Sequence, residues 1–236
     1  MLNGMLLVNK PSGMTSHDVV QVIRRKLTLR RIGHTGTLDP MAEGLLILLI
    51  GPATSFQQMF QAHDKTYEAL LQCGTQTDTG DALGAPIRAA AVPPLDRGRV
   101  AEVLTSLQGR LTQTPPSYSA VKIRGRPAYW WARRHEPVTL APRVVQLFEV
   151  SLVDCASTTI IFRVHCSSGT YVRTLGETIA GRLGTVGHLT RLERLRVGAW
   201  RLEDAKQLRW LAEASAEAVA REVRPLPEAP DRRRER

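Results

Sequence analysis

The chain is expected to fold as an α+β protein with a mixed, largely antiparallel sheet flanked by helices, and three observations lead there. Val144 to Val153 and Thr158 to Cys166 are two strand-like runs joined by a short polar turn, which reads as a hairpin. Lys65 to Cys73 alternates its side chains between two faces, as a half-buried strand does. Helical patterns lie beside these runs without the strict strand-helix alternation of a parallel doubly wound sheet.

Taken in order, Met5 to Asn9 reads as a short strand. Thr15 or Ser16 then caps a helix whose apolar stripe is Val19, Ile23 and Leu27, spaced four apart. Arg24, Arg25, Lys26, Arg30 and Arg31 follow on its other flank and are candidate phosphate contacts, because they lead straight into a glycine-rich loop. A short helix is expected over 54–62, then the strand from Lys65, which Gly74 ends. Thr77-Asp78-Thr79-Gly80-Asp81 is a polar turn, and Pro93-Pro94 precedes a helix from Asp96 to about Leu107 that stops at Gly109. Thr114 to Lys122 is strand-prone, and Arg124-Gly125-Arg126-Pro127 turns it into an aromatic and basic helix over 128–134. Thr170-Tyr171-Val172-Arg173 opens a helix running to about Leu183. From Ala205 the chain becomes Ala- and Glu-rich, then Pro-rich, and closes on Asp231-Arg232-Arg233-Arg234-Glu235-Arg236: a helix followed by a disordered basic tail.

Composition narrows the partners. Across 236 residues, 32 Lys and Arg face 22 Asp and Glu, a formal charge of +10 that points to a polyanion, with nucleic acid first among candidates. The longest apolar run, Leu45 to Ile50, is far below the roughly 20 residues of a membrane-spanning helix. The N-terminus lacks the basic start and apolar length of a signal peptide, so a cytoplasmic protein without membrane contact is expected. Cys73, Cys155 and Cys166 lie in apolar, strand-like contexts and read as reduced thiols. The six histidines are scattered singly, so no metal site is expected.

The richest segment is Gly33-His34-Thr35-Gly36-Thr37-Leu38-Asp39-Pro40-Met41-Ala42-Glu43-Gly44. Its glycines permit tight backbone paths, Pro40 biases Asp39 away from helical dihedrals, and the apolar run that follows gives the loop a rigid mount. The loop reads as built to present one carboxylate. The whole string resembles the catalytic motif of the TruB family of pseudouridine synthases, which act on uridine 55 in the T-loop of tRNA. Further segments resemble the family's in the expected order, over about residues 5 to 205: Val8-Asn9-Lys10-Pro11-Ser12-Gly13, Lys65-Thr66-Tyr67, Thr77-Asp78-Thr79-Gly80-Asp81 and Gly169-Thr170-Tyr171-Val172-Arg173.

That resemblance implies a pseudouridine-synthase-like fold and a site. Asp39 would be the catalytic aspartate and Arg173 its guanidinium partner, while Tyr67 would stack on the target base and assist proton transfer. Leu192 would wall off the uracil, and His34 would enter the T-loop as the base flips out. Asp81 would lie near the target nucleotide, with Tyr171 a further substrate contact. Lys10 and Pro11 would brace the Asp39 loop, Lys10 also being a candidate RNA contact. Isomerisation breaks the N1 to C1′ bond and joins C5 to C1′ with no redox change, so no cofactor is required. Residues 115–144 resemble the family's RNA-gripping insertion, with Tyr118, Lys122, Arg124, Arg126, Arg133 and Arg134 suited to backbone and shape recognition and Trp130 and Trp131 either joining them or anchoring the insertion. Residues 1–205 would form the catalytic domain, and 206–236 a helix and basic tail too short and polar for the RNA-binding PUA domain of many relatives. The expected partner is the T-arm stem-loop of tRNA, bound by a monomer without an obligate protein partner. The alternative is a non-catalytic or multi-substrate protein that binds or folds RNA on the same scaffold.

Overall fold

The structure, a computed structural model, describes residues 2–134 and 136–226. In chain order its elements are β1 (Gly4–Lys10), α1 (Ser16–Leu27), β2 (Ile32–His34), β3 (Glu43–Ile50), a 3-10 turn (Gly51–Phe56), α2 (Gln57–Ala62), β4 (Lys65–Cys73), β5 (Thr75–Thr77), β6 (Pro86–Ala89) and α3 (Arg97–Thr105). There follow β7 (Gly109–Gln113), β8 (Lys122–Ile123), β9 (Arg126–Pro127), α4 (Ala128–Ala132), β10 (Arg143–Cys155), β11 (Thr159–Cys166), α5 (Val172–Arg182) and β12 (Gly187–Val197). The last are β13 (Trp200–Arg201), β14 (Lys206–Gln207), α6 (Leu208–Glu213) and α7 (Ala216–Arg221).

One mixed sheet runs in the order β14-β1-β3-β12-β4-β11-β10-β7, with β2 beside β3 and β13 beside β12. Among the described residues its pairs are antiparallel except β1 with β14 and β3 with β12, in line with the largely antiparallel expectation. The sheet changes character along its width. In β4, Lys65, Tyr67, Ala69, Leu71 and Cys73 point inward and the residues between them stay half-exposed, so one face is covered there. β3 is apolar at nearly every position because both its faces are buried. Leu46, Leu48 and Ile50 join the main core, and Leu45, Ile47 and Leu49 join a second cluster with Met5, Leu7 and Phe60. The main core is closed by Val19 and Ile23 of α1, Val100 and Leu104 of α3 and Leu175 and Ile179 of α5. The helix over 16–27 starts where capping chemistry places it: Thr15 accepts from the Asp18 N–H, and the Asp18 carboxylate accepts from the Thr15 N–H at 2.9 Å.

Several expectations shift. Of the strand-prone stretch Thr114 to Lys122 only Lys122 is in a strand, β8; pairing with β10 ends at Gln113, and Pro115 and Pro116, which lack an N–H, cannot continue the ladder. The helix over 54–62 begins as the 3-10 turn, and α3 starts after its Asp96 cap. β12 is not legible in the sequence, since Thr190, Arg191, Glu193 and Arg194 interrupt its apolar alternation and two register shifts against β4 redirect its side chains. No break in packing falls at residue 205. Leu208, Leu211 and Val219 lie in the main core, Met5 and Arg224 exchange two backbone hydrogen bonds of 2.8 Å, and Leu226 packs on the second cluster. The Arg-rich segment at 231–236 lies outside the described residues.

Gly44 carries the contact between β3 and β12. Its φ of +100° suits glycine, and a Cβ there would sit 2.5 Å from the Arg194 carbonyl oxygen, which belongs to the facing backbone. Gly44→Ala is therefore expected to cost more than about 2 kcal/mol of stability, from positive-φ strain plus forced separation of the two strands. Urea unfolding checks this, and a loss within about 0.5 kcal/mol would show that the strands part without cost.

Candidate active site

Asp39 sits on the loop between β2 and β3, and that loop is fastened on both sides of it. Ser16 at the start of α1 accepts from the Leu38 N–H at 2.8 Å, and its hydroxyl donates to the Leu38 carbonyl at 3.3 Å. Pro40 accepts from the Gly13 N–H at 2.8 Å, and Met41 accepts from the Ser12 hydroxyl at 3.0 Å. Leu38, Met41 and Ala42 are buried, so the loop clips into the core at residues flanking Asp39 and leaves its carboxylate partly open. The Lys10 ammonium lies beneath, donating to the carbonyls of Pro11 at 2.9 Å, Met14 at 2.7 Å and Pro40 at 3.4 Å. Lys10 is wholly buried. The expected RNA contact through Lys10 is thus corrected: its three donors are spent on backbone, and it acts as a brace.

Arg173, in the first turn of α5, meets Asp39 in a two-bond fork, Nε to Oδ2 at 2.8 Å and Nη2 to Oδ1 at 3.1 Å. Its other donors reach the Thr79 carbonyl at 2.6 Å and the Tyr118 carbonyl at 2.8 Å. The guanidinium is buried, and each of its three nitrogens is engaged, so it has little freedom to turn. Asp81 stands on its other side, with Oδ2 3.8 Å from Nε, while Oδ1 accepts from Thr79 Oγ1 at 2.7 Å and the Leu83 N–H at 3.0 Å. Burial pushes the Asp39 carboxyl above its ordinary 3.8; Arg173 opposes that shift by charge and hydrogen bonds, and the charge of Asp81 adds to it.

The pair forms a wall between two cavities. One, of about 270 Å³, is lined by Tyr67, Tyr171, Val172 and Leu192 with Lys65 and Arg194 at its polar side. The other, of about 580 Å³, holds His17, His34, Asp81, Leu83, Tyr118, Tyr129 and Arg133. Asp39 and Arg173 line both. The expected residues therefore come together in two groups: Tyr67, Leu192 and Tyr171 on one side of the carboxylate, His34 and Asp81 on the other. Burial holds the Tyr67 phenol above its ordinary 10.0, so it stays protonated at neutral pH. His34 is half-buried, its Nδ1 has no partner, and burial followed by the charge of Arg194 lowers its pKa, which leaves a neutral ring.

Two buried residues were not foreseen. Arg194, on β12 two positions after Leu192, donates from Nε to the Leu45 carbonyl at 2.7 Å and from Nη2 to the Gly36 carbonyl at 3.1 Å, tying the Asp39 loop to the sheet. The two-residue spacing to Leu192 is the signal that could have found it. Gln113 exchanges hydrogen bonds with the backbone of Tyr171, accepting from its N–H at 3.0 Å and donating to its carbonyl at 3.3 Å, and so sets where α5 begins. Nothing in the sequence around Gln113 announces this.

The insertion over 115–144 approaches the same pair through the Tyr118 carbonyl. It is laced by cations over rings: Arg134 is 4.1 Å and Arg126 5.6 Å from the Trp130 ring centre, and Arg133 is 5.5 Å from that of Tyr129. Trp131 donates to the Ile123 carbonyl at 3.2 Å, fastening α4 to the β8–β9 hairpin. Cys73 and Cys166 are buried free thiols pushed up to about 11, hence unreactive, and Cys155 is free as well. Among the described residues no group of three His, Cys, Asp or Glu side chains is placed to hold a metal, and no helix is long and apolar enough to cross a membrane.

The fold is that of known pseudouridine synthases. A solved Cbf5-Nop10-Gar1 complex contains a chain that superposes on 94% of this one with a TM-score of 0.72 at 26% identity, this chain covering 60% of that one. In sequence, residues 24–172 match the N-terminal domain of the TruB family pseudouridylate synthases. A tRNA pseudouridine synthase B from Hydrogenovibrio crunogenus is 45% identical over 84% of the chain, and the match spans 65% of that relative's length. One from Opitutus terrae is 44% identical over 88% of the chain and 86% of its own length, and one from Aromatoleum aromaticum 44% over 92% and 70%. The chain belongs to the TruB family of pseudouridylate synthases.

Two expectations test this geometry. Followed by carboxyl NMR, Asp39 should take up its proton at a pH above 3.8 as pH falls, and Asp81→Asn should move that midpoint down, because it removes the like charge. A midpoint below 3.8, or an upward shift in the variant, contradicts the assignment. Arg194→Lys keeps the charge yet cannot serve the Leu45 and Gly36 carbonyls together, so one buried acceptor is orphaned at a cost of about 1–3 kcal/mol. Thermal unfolding measures it, and an unchanged midpoint would mean that the loop does not depend on Arg194.

Proposed function

We propose that this chain isomerises uridine 55 in the T-loop of tRNA to pseudouridine, with Asp39 as the reacting carboxylate. The observation that carries this is the two-bond Asp39–Arg173 fork that forms part of the wall of the cavity lined by Tyr67 and Leu192. The names and identities of the bacterial relatives support it. The target base lies inside a folded loop and has to flip out, at a cost of a few kcal/mol, before its sugar can reach Asp39. In this reading the flipped uracil enters the smaller cavity, its face against the Tyr67 ring and its edge against Leu192. Once the N1 to C1′ bond breaks, the walls of the cavity hold the detached base while it turns; C5 is then joined to C1′, the C5–H bond breaks, and N1 takes up a proton, so the product is an isomer of the uridine.

Asp39 is the carboxyl group that lines both cavities beside Arg173, and the rigid guanidinium favours its charged form and fixes its direction. The protonated Tyr67 phenol offers a proton donor beside the base without adding a charge. His34, a neutral ring in the second cavity, fills the place the base vacates. Tyr118, Tyr129, Arg133 and the ring-stacked arginines of 115–144 hold the RNA by shape and phosphate, so residues 1–205 with their insertion carry the reaction. The chain acts in the cytoplasm, as a monomer, on the T-arm stem-loop.

The test is to incubate the purified chain with unmodified tRNA and map pseudouridine. Conversion is expected at position 55, and Asp39→Asn, which keeps the volume and removes the charge, should abolish it while RNA binding persists. Turnover by the variant would remove Asp39 from the chemistry. Binding without any conversion by the unaltered chain would leave the non-catalytic RNA-folding reading in its place.

A further inference from the structure

The arginines around the end of α1 line neither cavity beside Asp39. Of the five cations expected there to contact phosphate, three are occupied: Arg24 Nη2 donates to the Ile32 carbonyl at 2.7 Å, the Lys26 ammonium to the Ala214 carbonyl at 2.7 Å, and Arg31 Nε to the Thr54 hydroxyl at 2.8 Å. Arg25 and Arg30 are exposed and, among the described residues, neither pairs with a carboxylate. They line an open groove of about 540 Å³ with Gln21, Arg24, Thr28 and Leu29. No acidic side chain lines it, and the Nε of Arg24 is buried there without a partner. Complementing the helix dipole explains basic residues in the last turn of α1, but Arg30 lies beyond the helix.

The groove is linked to the catalytic centre along one helix face. His17, Gln21, Arg25 and Thr28 succeed each other at intervals of three and four, so they share a stripe down α1. His17 lines the larger cavity beside Asp39, its ring 2.8 Å from the Gln21 amide; Gln21 already lines the groove one turn on, and the eight positions from His17 to Arg25 span roughly 12 Å of helix.

We infer that this groove is a second RNA site, in which Arg25 and Arg30 hold backbone phosphates of the RNA strand that leaves the larger cavity along α1. The inference rests on the proposed RNA substrate. It requires point charges along a track and no base reading, since no ring or amide other than Gln21 faces the strand there.

The experiment measures the affinity of the full chain for a T-arm hairpin and for whole tRNA at several salt concentrations. Replacing Arg25 and Arg30 together by Ala should make log K against log salt shallower by roughly 1.4 to 1.8 in slope, at about 0.7–0.9 per lost phosphate contact, and weaken binding at low salt. The single-turnover rate at saturating enzyme should not change. Arg25→Lys with Arg30→Lys should restore the slope, because phosphate asks only for charge. Arg99→Ala with Arg209→Ala, two exposed arginines already paired to Glu102 and Glu213, removes the same net charge elsewhere and should leave the slope as it was. An unchanged slope in the groove variant, or an equal loss in the control, overturns the site. RNA bound with these slopes but never converted would instead overturn the proposed reaction and leave the groove standing.

Discussion

The fork between Asp39 and Arg173 is the constraint on which the rest of the site depends. Its partners are 134 residues apart in sequence, so neither local segment can form it. A carboxylate taken this far out of water tends to take up a proton, and a buried guanidinium without an anion is costlier still. Each makes the other tolerable. The fork needs two rigid mounts held in register: the loop clipped by Leu38 and Met41, and the first turn of α5 set by Gln113.

The mounts are held by buried cations used as backbone clamps. Lys10, Lys65 and Arg194 each place their donors on backbone carbonyl oxygens near the site, Lys65 on those of Gln61 and His63 and Arg194 on those of Leu45 and Gly36. Their mutual repulsion is visible in Lys10 and Lys65, which burial and the charge of Arg194 lower to about 8. Against the burial of Asp39, which raises its carboxyl, the charge and hydrogen bonds of Arg173 act first and the charge of Lys10 adds a little. Charge here serves architecture and electrostatics at once: Lys10 lies beneath the Asp39 loop, while Lys65 and Arg194 also line the smaller cavity.

Legibility in the sequence followed locality. The α1 cap, the β4 alternation and the β10–β11 hairpin each depend on neighbours in sequence, and each was readable. β12 was not, because its place at the sheet centre depends on bulges that only pairing with β4 produces. The pairing of Asp39 with Arg173 came from motif resemblance, whereas Arg194 and Gln113 had no such guide. Their bonds go to backbone atoms of distant segments, and backbone partners leave no mark in residue identity. For Lys10 the motif suggested both a brace of the Asp39 loop and an RNA contact; burial and three carbonyl acceptors leave the brace.

By itself the sequence determined the class of fold, the loop that presents a carboxylate, and the kinds of side chain available around it. These follow from period, capping and turn chemistry, which act within a few residues. Only the tertiary structure decided that Asp39 and Arg173 form a wall between two cavities, with Tyr67, Tyr171 and Leu192 on one side and His34 and Asp81 on the other. It also decided which cations are free for an anion and which are consumed inside. Both are questions of which surfaces meet and which polar atoms find partners, and burial settles them only when distant strands and helices close on one another.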